Sequence, residues 1–362
     1  MTRENAALDN LPIELCERGW VPDTLARAGM RRLINARLTS AEARDPERRS
    51  EHMRAFVERA ATGPIAQHTD DANAQHYELP PAFFAHVLGA HRKYSGCLFE
   101  AGIDNLDQAE HAMLALTAER ARLRDGLRIL DLGCGWGSLA LWAAGRYPRA
   151  SVLAVSNSNA QREYIAATAA ERGLDNLRVE TCDINHFDPG EAVFDRIVSI
   201  EMFEHMRNYR ELFGRIRRWL AADGRLFVHV FAHKLLAYPF QDAGASDWMA
   251  RHFFTGGIMP SENLFARFQR DLVLADQWWL SGSHYRDTAN AWLANMDAAR
   301  APIMDLFRDT YGADAERWFQ RWRMFFMAVA ELFGSDRGNQ WGIGHYLFTP
   351  RPQTPPVSEK AS

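Results

Sequence analysis

Apolar residues recur at mixed three- and four-residue spacing through the first 115 or so positions, and no stretch there alternates as a strand would. That spacing predicts helices over 24–37, 46–61, 80–88 and 105–124. The pattern changes at Arg128-Ile-Leu-Asp-Leu132, a short apolar run ending in glycines, which predicts a buried strand entering a tight loop. A helix over 138–147, a strand over 151–156, a helix over 159–172 and strands over 177–181 and 196–200 follow. A helix over 209–220 and a strand over 225–231 complete the run. Strands alternating with helices at this spacing imply βαβ units, a parallel sheet and right-handed crossovers. Residues 248–269 read as a helical excursion around Gly256-Gly257. Strand-like runs at 272–280 and 345–348 are expected to close the sheet, with helices over 289–306 and 315–333 between them. The expected organisation is a helical N-terminal extension and cap (1–115), an α/β domain (116–350) carrying a helical insertion near 240–270, and a disordered proline-rich tail (351–362).

Composition narrows the class. In 362 residues, 47% are hydrophobic and 24% charged, the balance of a globular protein with a sizeable core. Forty-two basic against 46 acidic side chains give a net charge of -4, so no global field points to nucleic acid. The longest apolar runs, such as 324–330, fall far short of the roughly 20 residues a membrane helix needs, so no stable membrane insertion is expected. The first dozen residues lack the apolar core of a signal peptide. Cys16, Cys97, Cys134 and Cys182 lie far apart with no CxxC pair, suggesting neither a disulfide framework nor a zinc site, and no metal is expected. A cytoplasmic protein fits these features; the sequence leaves its oligomeric state open.

The chemistry starts at Asp131-Leu-Gly133-Cys-Gly135-Trp-Gly137, where the first strand meets its helix. Glycines there let a ligand approach the backbone, at the crevice where open α/β sheets bind nucleotides. The GxGxG spacing with an acid before it differs from the dinucleotide GxGxxG and resembles S-adenosylmethionine-dependent methyltransferases of the doubly wound class. One feature departs from the commonest version: the second strand ends Val155-Ser156-Asn157, with no acid to hold ribose hydroxyls. Gln161, one turn into the next helix, is the candidate replacement; the alternative is a solvated helix residue.

Longer motifs carry a narrower resemblance. Arg92-Lys-Tyr-Ser-Gly-Cys-Leu-Phe99, Ile129 to Ser138 and Ser199-Ile-Glu-Met-Phe-Glu-His-Met206 resemble the cyclopropane-fatty-acyl-phospholipid synthase superfamily. Phe253-Phe-Thr-Gly-Gly-Ile-Met-Pro260, Trp322-Arg-Met-Phe-Phe326 and Trp341-Gly-Ile-Gly-His-Tyr-Leu-Phe348 resemble its coclaurine N-methyltransferase-like branch. The resemblance runs from about residue 76 to 348. It implies a class I methyltransferase, Rossmann-like with a mostly parallel seven-stranded sheet, using S-adenosyl-L-methionine. It further implies that Tyr94 and Ser95 reach the methionine carboxylate, that Gly133 and Gly135 pass under the cofactor beside Asp131, and that Gln161 holds the ribose. Asp183, Ile184 and Asn185 would border the adenine. Tyr94 could otherwise be an ordinary core tyrosine.

Glu201, Glu204 and His205 follow the fourth strand. Three- and four-residue spacing in a helical turn would aim all three at one pocket. An amine acceptor arrives largely as an ammonium ion without an attacking lone pair, and a carboxylate–imidazole pair can bind it and take its proton. The resemblance assigns that role to Glu201 and His205. The competing chemistry is methylation of lipid acyl chains. There the family is expected to hold bicarbonate through a cysteine, the glutamate of the FEH motif, a histidine on the next strand and a tyrosine on a late helix. Glu204 and His229 remain, but Gly96 stands at the cysteine position and Phe325 or Met324 at the tyrosine. The departure favours a heteroatom acceptor, most simply a small-molecule amine. Cys97 and His233 are expected only to pack. Trp248, Phe253, Phe254, Trp292, Phe325, Phe326 and Trp341 are either walls of an acceptor pocket or ordinary core.

Overall fold

A computed structural model describes residues 11–66, 79–191, 193–240 and 247–352. The predicted tail lies almost wholly outside these residues. The N-terminal part supplies helices α1 (Asp23–Leu38), α2 (Ala41–Arg44), α3 (Pro46–Arg59), α4 (Pro81–Val87) and α5 (Leu106–Arg120). The alternating part follows as β1 (Arg128–Leu132), α6 (Ser138–Arg146), β2 (Ser151–Ser156), α7 (Asn159–Glu171), β3 (Leu177–Thr181), β4 (Phe194–Ile200), α8 (Tyr209–Trp219) and β5 (Leu220–His233). The C-terminal part adds β6 (Tyr238–Pro239), α9 (Trp248–His252), β7 (Ile258–Met259), β8 (Leu272–Ser281), α10 (Gly282–Ala298), α11 (Arg300–Tyr311), α12 (Ala315–Gly334) and β9 (Trp341–Pro350).

The main sheet has seven strands in the order β3-β2-β1-β4-β5-β9-β8. The first five are parallel, whereas β9 runs antiparallel between β5 and β8. The order reverses beside β1, so β1 and β4 part at their carboxyl ends and open a crevice there. Local chemistry explains the covering helices. Asn208 caps α8 by accepting from the Glu211 amide, and Tyr209, Leu212, Phe213 and Ile216 form its buried stripe. That stripe packs with Phe265 and Phe268 on one sheet face, while α5, α6 and α7 cover the other through Leu114, Leu139 and Ile165.

Two expectations differ from the fold. The 248–269 segment is not one helix: α9 stops at His252, then Gly256 takes a φ of +70° and the short β7 pairs with β6. Glycines and Pro260 leave no continuous helical register there. The single helix expected over 289–306 is two, α10 and α11, broken at Ala299. Pro302 sits in the first turn of α11, where its missing amide costs nothing; inside one long helix it would delete a hydrogen bond. The helical layer draws on both parts of the chain: Phe83 and Phe84 of α4 share an apolar cluster with Trp292, Phe307, Trp322 and Phe326 of α10 to α12.

Candidate active site

The loop after β1 is pinned by Val155 O, which accepts from both the Gly133 and Cys134 amides at 3.0 and 2.9 Å. Gly133 has a φ of +80°, and a Cβ there would lie 2.7 Å from Met202 Cβ. Gly135 has a φ of +52°, and a Cβ on it would meet nothing within 4 Å. Its bare face is the floor of the crevice. Two adjoining clefts open there, of about 740 and 490 Å3 with their mouths included, and Gly133, Gly135, Gln161 and Glu201 line both.

The smaller cleft collects Arg92, Tyr94, Ser95, Asp131 and Trp136. Asp131 is buried and its Oδ2 has no hydrogen-bond partner; burial pushes its carboxyl up to about 7. Ser95 Oγ accepts from Lys93 Nζ at 2.5 Å, and the same ammonium donates to Gly96 O at 2.7 Å. The larger cleft is bordered by Leu132, Ser156, Asn157, Cys182, Asp183, Ile184, Met202 and His205. Gln161 joins the two: Ser156 Oγ donates to its Oε1 at 2.5 Å, leaving the buried Nε2 without a partner. Asn185 does not line this cleft; its side chain accepts from Ala66 N and donates to Ala66 O, holding that residue at the rim.

A buried carboxylate with one oxygen unpartnered, an unpaired amide donor, a side-chain-free glycine floor and an apolar end fit S-adenosylmethionine, which carries an ammonium, a carboxylate, ribose hydroxyls and an adenine ring. Asp131, Ser95, Gln161 and the Asp183–Ile184 edge could hold these parts in that order along the crevice.

Past β4 the chain does not enter the α-helical turn expected for the acid–base cluster. Glu201 adopts a left-handed φ of +49°, and residues Phe203–His205 form a 3-10 turn. The expected common face is therefore split. Glu201 and His205 line the larger cleft, but Glu204 points behind it, fully buried, with Oε1 accepting from Phe231 N at 2.9 Å. A non-glycine residue held at positive φ costs energy and persists only where its surroundings over-determine it. Here Glu201 Oε1 accepts from Gly96 N at 3.0 Å and Oε2 from Tyr285 Oη at 2.7 Å. Burial raises the Glu201 carboxyl above the usual carboxylate range, partly opposed by Lys93, Gly96 and Tyr285. Burial, then repulsion from Glu201, raises Glu204 further. The histidine nearest the Glu201 carboxylate is His229, whose Nε2 lies 3.4 Å from Oε1. His205 stacks on Phe254, ring centres 4.8 Å apart.

Sequence reasoning missed Lys93 and Tyr285. Tyr285 lies 84 positions from Glu201, and no spacing rule connects them. Lys93 had a signal in its neighbours Tyr94 and Ser95, but a lysine is rarely fully buried.

The remaining candidates resolve into packing. Trp248, Phe253, Trp292, Phe325, Phe326 and Trp341 belong to the apolar cluster beneath the helical layer, and Phe325 stacks on Phe253 at 4.5 Å. Phe254, on His205, is the one that reaches the site. Cys97 Sγ donates to Ser95 O, and His233 Nδ1 accepts from the Leu235 and Leu236 amides. A Cβ on Gly96 would lie 2.5 Å from Ile343 Cδ1, so the position expected for a cysteine is closed to one without repacking. Among the described residues no group of three or more His, Cys, Asp or Glu is arranged to hold a metal ion, and no helix is long and apolar enough to cross a membrane.

The sheet order, the glycine floor and the crevice define an S-adenosylmethionine-dependent methyltransferase of class I. Comparison with known proteins gives the family: residues 66–341 match the mycolic acid cyclopropane synthetase model, and the chain belongs to that family. It is 38% identical to (S)-coclaurine N-methyltransferase of Thalictrum flavum subsp. glaucum over 78% of this chain and 80% of the relative. It is 34% identical to (S)-coclaurine N-methyltransferase of Papaver somniferum over 92% and 95%. A crystal structure of coclaurine N-methyltransferase bound to N-methylheliamine and SAH superposes with a TM-score of 0.91 at 34% identity, covering 95% of this chain and all of that one.

Proposed function

We infer that this enzyme transfers a methyl group from S-adenosylmethionine to the nitrogen of a small, ring-bearing amine. The observation that carries the reading is Glu201. It is held at the wall common to both clefts by Gly96 and Tyr285, with its carboxyl raised toward neutrality. The relatives named above are N-methyltransferases, and one was crystallised with N-methylheliamine and SAH. When bound, S-adenosylmethionine supplies a methyl group activated on a sulfonium, so the chain needs to position the acceptor and free its lone pair. Glu201 attracts the ammonium form of the acceptor and takes its proton at a carboxylate oxygen; His205, backed by Phe254, faces the same cleft and steadies the cation. Asp131, Tyr94, Ser95, Gly133, Gly135, Gln161, Asp183 and Ile184 hold the cofactor, and Asn185 sets the rim through Ala66. Glu204 supports the turn that carries Glu201. Residues 1–115 act as cap to the 116–350 domain, and the protein works in the cytoplasm.

Methylation of lipid acyl chains is the second reading, favoured by Glu204 and His229 standing behind the cleft. Against it, Gly96 brings no thiol to the cysteine position, and Tyr285 Oη is bonded to Glu201. The test is purified enzyme with S-adenosylmethionine, a panel of cyclic amines and, separately, phospholipid vesicles, each with and without bicarbonate. Mass spectrometry is expected to show N-methylated amines at a rate that rises with pH and ignores bicarbonate. Vesicle acyl chains heavier by one methylene, formed faster with bicarbonate, would replace this reading with the lipid one.

A further inference from the structure

His229 and His345 face each other across β5 and β9 as register partners, one side chain directly opposite the other. The same row continues to Ile200 on β4, at the wall of the smaller cleft, and to Trp278 on β8. Along it runs a polar row that is hydrogen-bonded from Arg120 as far as His229, whose Nε2 has no hydrogen-bond partner. Arg120 Nη1 lies 2.9 Å from His345 Nδ1, His345 Nε2 lies 2.9 Å from His229 Nδ1, and His229 Nε2 lies 3.4 Å from Glu201 Oε1. Both histidines are fully buried. The guanidinium rests 5.0 Å from the Trp278 ring, and Phe227 packs edge-on against His345.

Proton positions along this chain follow from one fact. A guanidinium donates hydrogen bonds and accepts none, so His345 Nδ1 must be a bare lone pair. A neutral imidazole carries one proton, so that of His345 sits on Nε2 and points at His229 Nδ1. His229 Nδ1 is then the acceptor, and its single proton sits on Nε2, facing the carboxylate. Burial lowers both histidines well below their ordinary range, which keeps each at one proton. We propose that Arg120 and His345 are positioning residues that fix the tautomer of His229, placing its proton on Nε2, the ring nitrogen 3.4 Å from Glu201 Oε1. The chain ends in a group that gives up no proton, so it holds a proton in place and does not carry one away. The proton taken from an amine leaves by the cleft.

The other groups facing Glu201 are Lys93 from the N-terminal loop, Tyr285 from α10 and Glu204 behind it; Lys93 and Arg120 also face the histidines. Without Arg120 the tautomers can reverse: His229 then donates from Nδ1 to His345 and leaves a bare Nε2 lone pair against the carboxylate. That arrangement disfavours ionised Glu201. This inference rests on Glu201 as the proton acceptor, and the experiment separates the two. Arg120→Met is expected to move the acid limb of the kcat/KM–pH profile for an accepted amine upward by about one unit, with cofactor affinity unchanged. Arg120→Lys, which keeps a donor, and His345→Gln, whose amide can still donate to His229, should restore the limb; His345→Leu should not. In 15N-histidine-labelled enzyme, the resonance pair lost in His345→Gln should show an unprotonated Nδ1 and a protonated Nε2, and the remaining His229 signal should change tautomer in Arg120→Met. An unmoved limb in Arg120→Met, or unchanged tautomers, overturns the proposal. Should Arg120→Met not fold, His345→Leu against His345→Gln decides it by the same two readouts. A Glu201→Gln enzyme that keeps full rate and the acid limb sinks the proton-acceptor reading instead, while the tautomer signals still judge the chain.

Discussion

A buried carboxylate with one oxygen unpartnered is poorly stabilised as an anion, and Asp131 is in that condition: the Ala140 amide bonds it, but burial outweighs this and pushes its carboxyl up to about 7. An ammonium ion brought beside it favours the ionised form and draws that value back down. Cofactor affinity should therefore weaken as pH falls through about 7, because the neutral acid no longer attracts the cation. Calorimetric titration across this range should show the slope in the wild type; Asp131→Asn should bind more weakly at alkaline pH and lose the slope. Glu201 and His205 belong to the chemical step. Glu201→Gln and His205→Ala should each lower turnover by roughly 10²–10⁴-fold, typical of a positioned acid–base group, with cofactor affinity nearly constant. Full turnover in both variants on an accepted amine would make the cluster structural. At this scale Asp131, the glycines and Glu201 were legible because each departs from what a structural position wants: an acid at the end of a buried strand, bare backbone beside it, a carboxylate next to both.

Elements read well where a single face is buried and poorly where the far half of the chain decides the outcome. The strands β1 to β4 are apolar runs between turn residues and lie within two residues of their expected bounds. β5 and β9 are longer than expected because each pairs along its length with a neighbour the local pattern does not name. The break between α10 and α11 and the irregular 253–271 path depend on packing around Pro302, Gly256 and Gly257. The short helix α4 is the clearest case of remote support. Its Phe83 is fully buried, 4.8 Å from the Trp322 ring and 5.4 Å from that of Phe307. Truncating such a ring removes both its buried area and its packing contacts, so Phe83→Ala should cost about 3–5 kcal/mol in urea unfolding. A loss under about 1 kcal/mol would mean the two ends of the chain pack less interdependently than this cluster implies.

For the molecule as a whole, the crevice joins the 92–95 loop ahead of β1 to the carboxyl edge of the sheet, so a ligand in it ties two separate stretches of chain to the native state. A ligand that binds only folded protein stabilises it by about 2.7 kcal/mol at ~100 times its Kd. S-adenosylhomocysteine should accordingly raise the melting temperature by a few degrees. Gly135→Val fills open space on the crevice floor and strains a φ of +52°, so it should fold but melt several degrees below the wild type without ligand, and show no ligand-induced rise. An equal rise in the variant would remove the glycine floor from the cofactor site.

The order of strands and helices, the crevice and the cofactor class were determined by local sequence, because hydrophobic period, glycine placement and the acid before it act over a few residues. The environment of the reacting group was decided by tertiary structure alone. Glu201 owes its posture to Gly96, Tyr285 and His229, brought in by a loop, a helix and a strand far apart along the chain. The His229–His345 pair exists because β9 inserts antiparallel beside β5 in one register, and a shift of β9 by one residue would turn His345 to the face opposite His229. Burial then raises the carboxyls of Asp131, Glu201 and Glu204, and burial is a property of the assembled core rather than of any stretch of sequence.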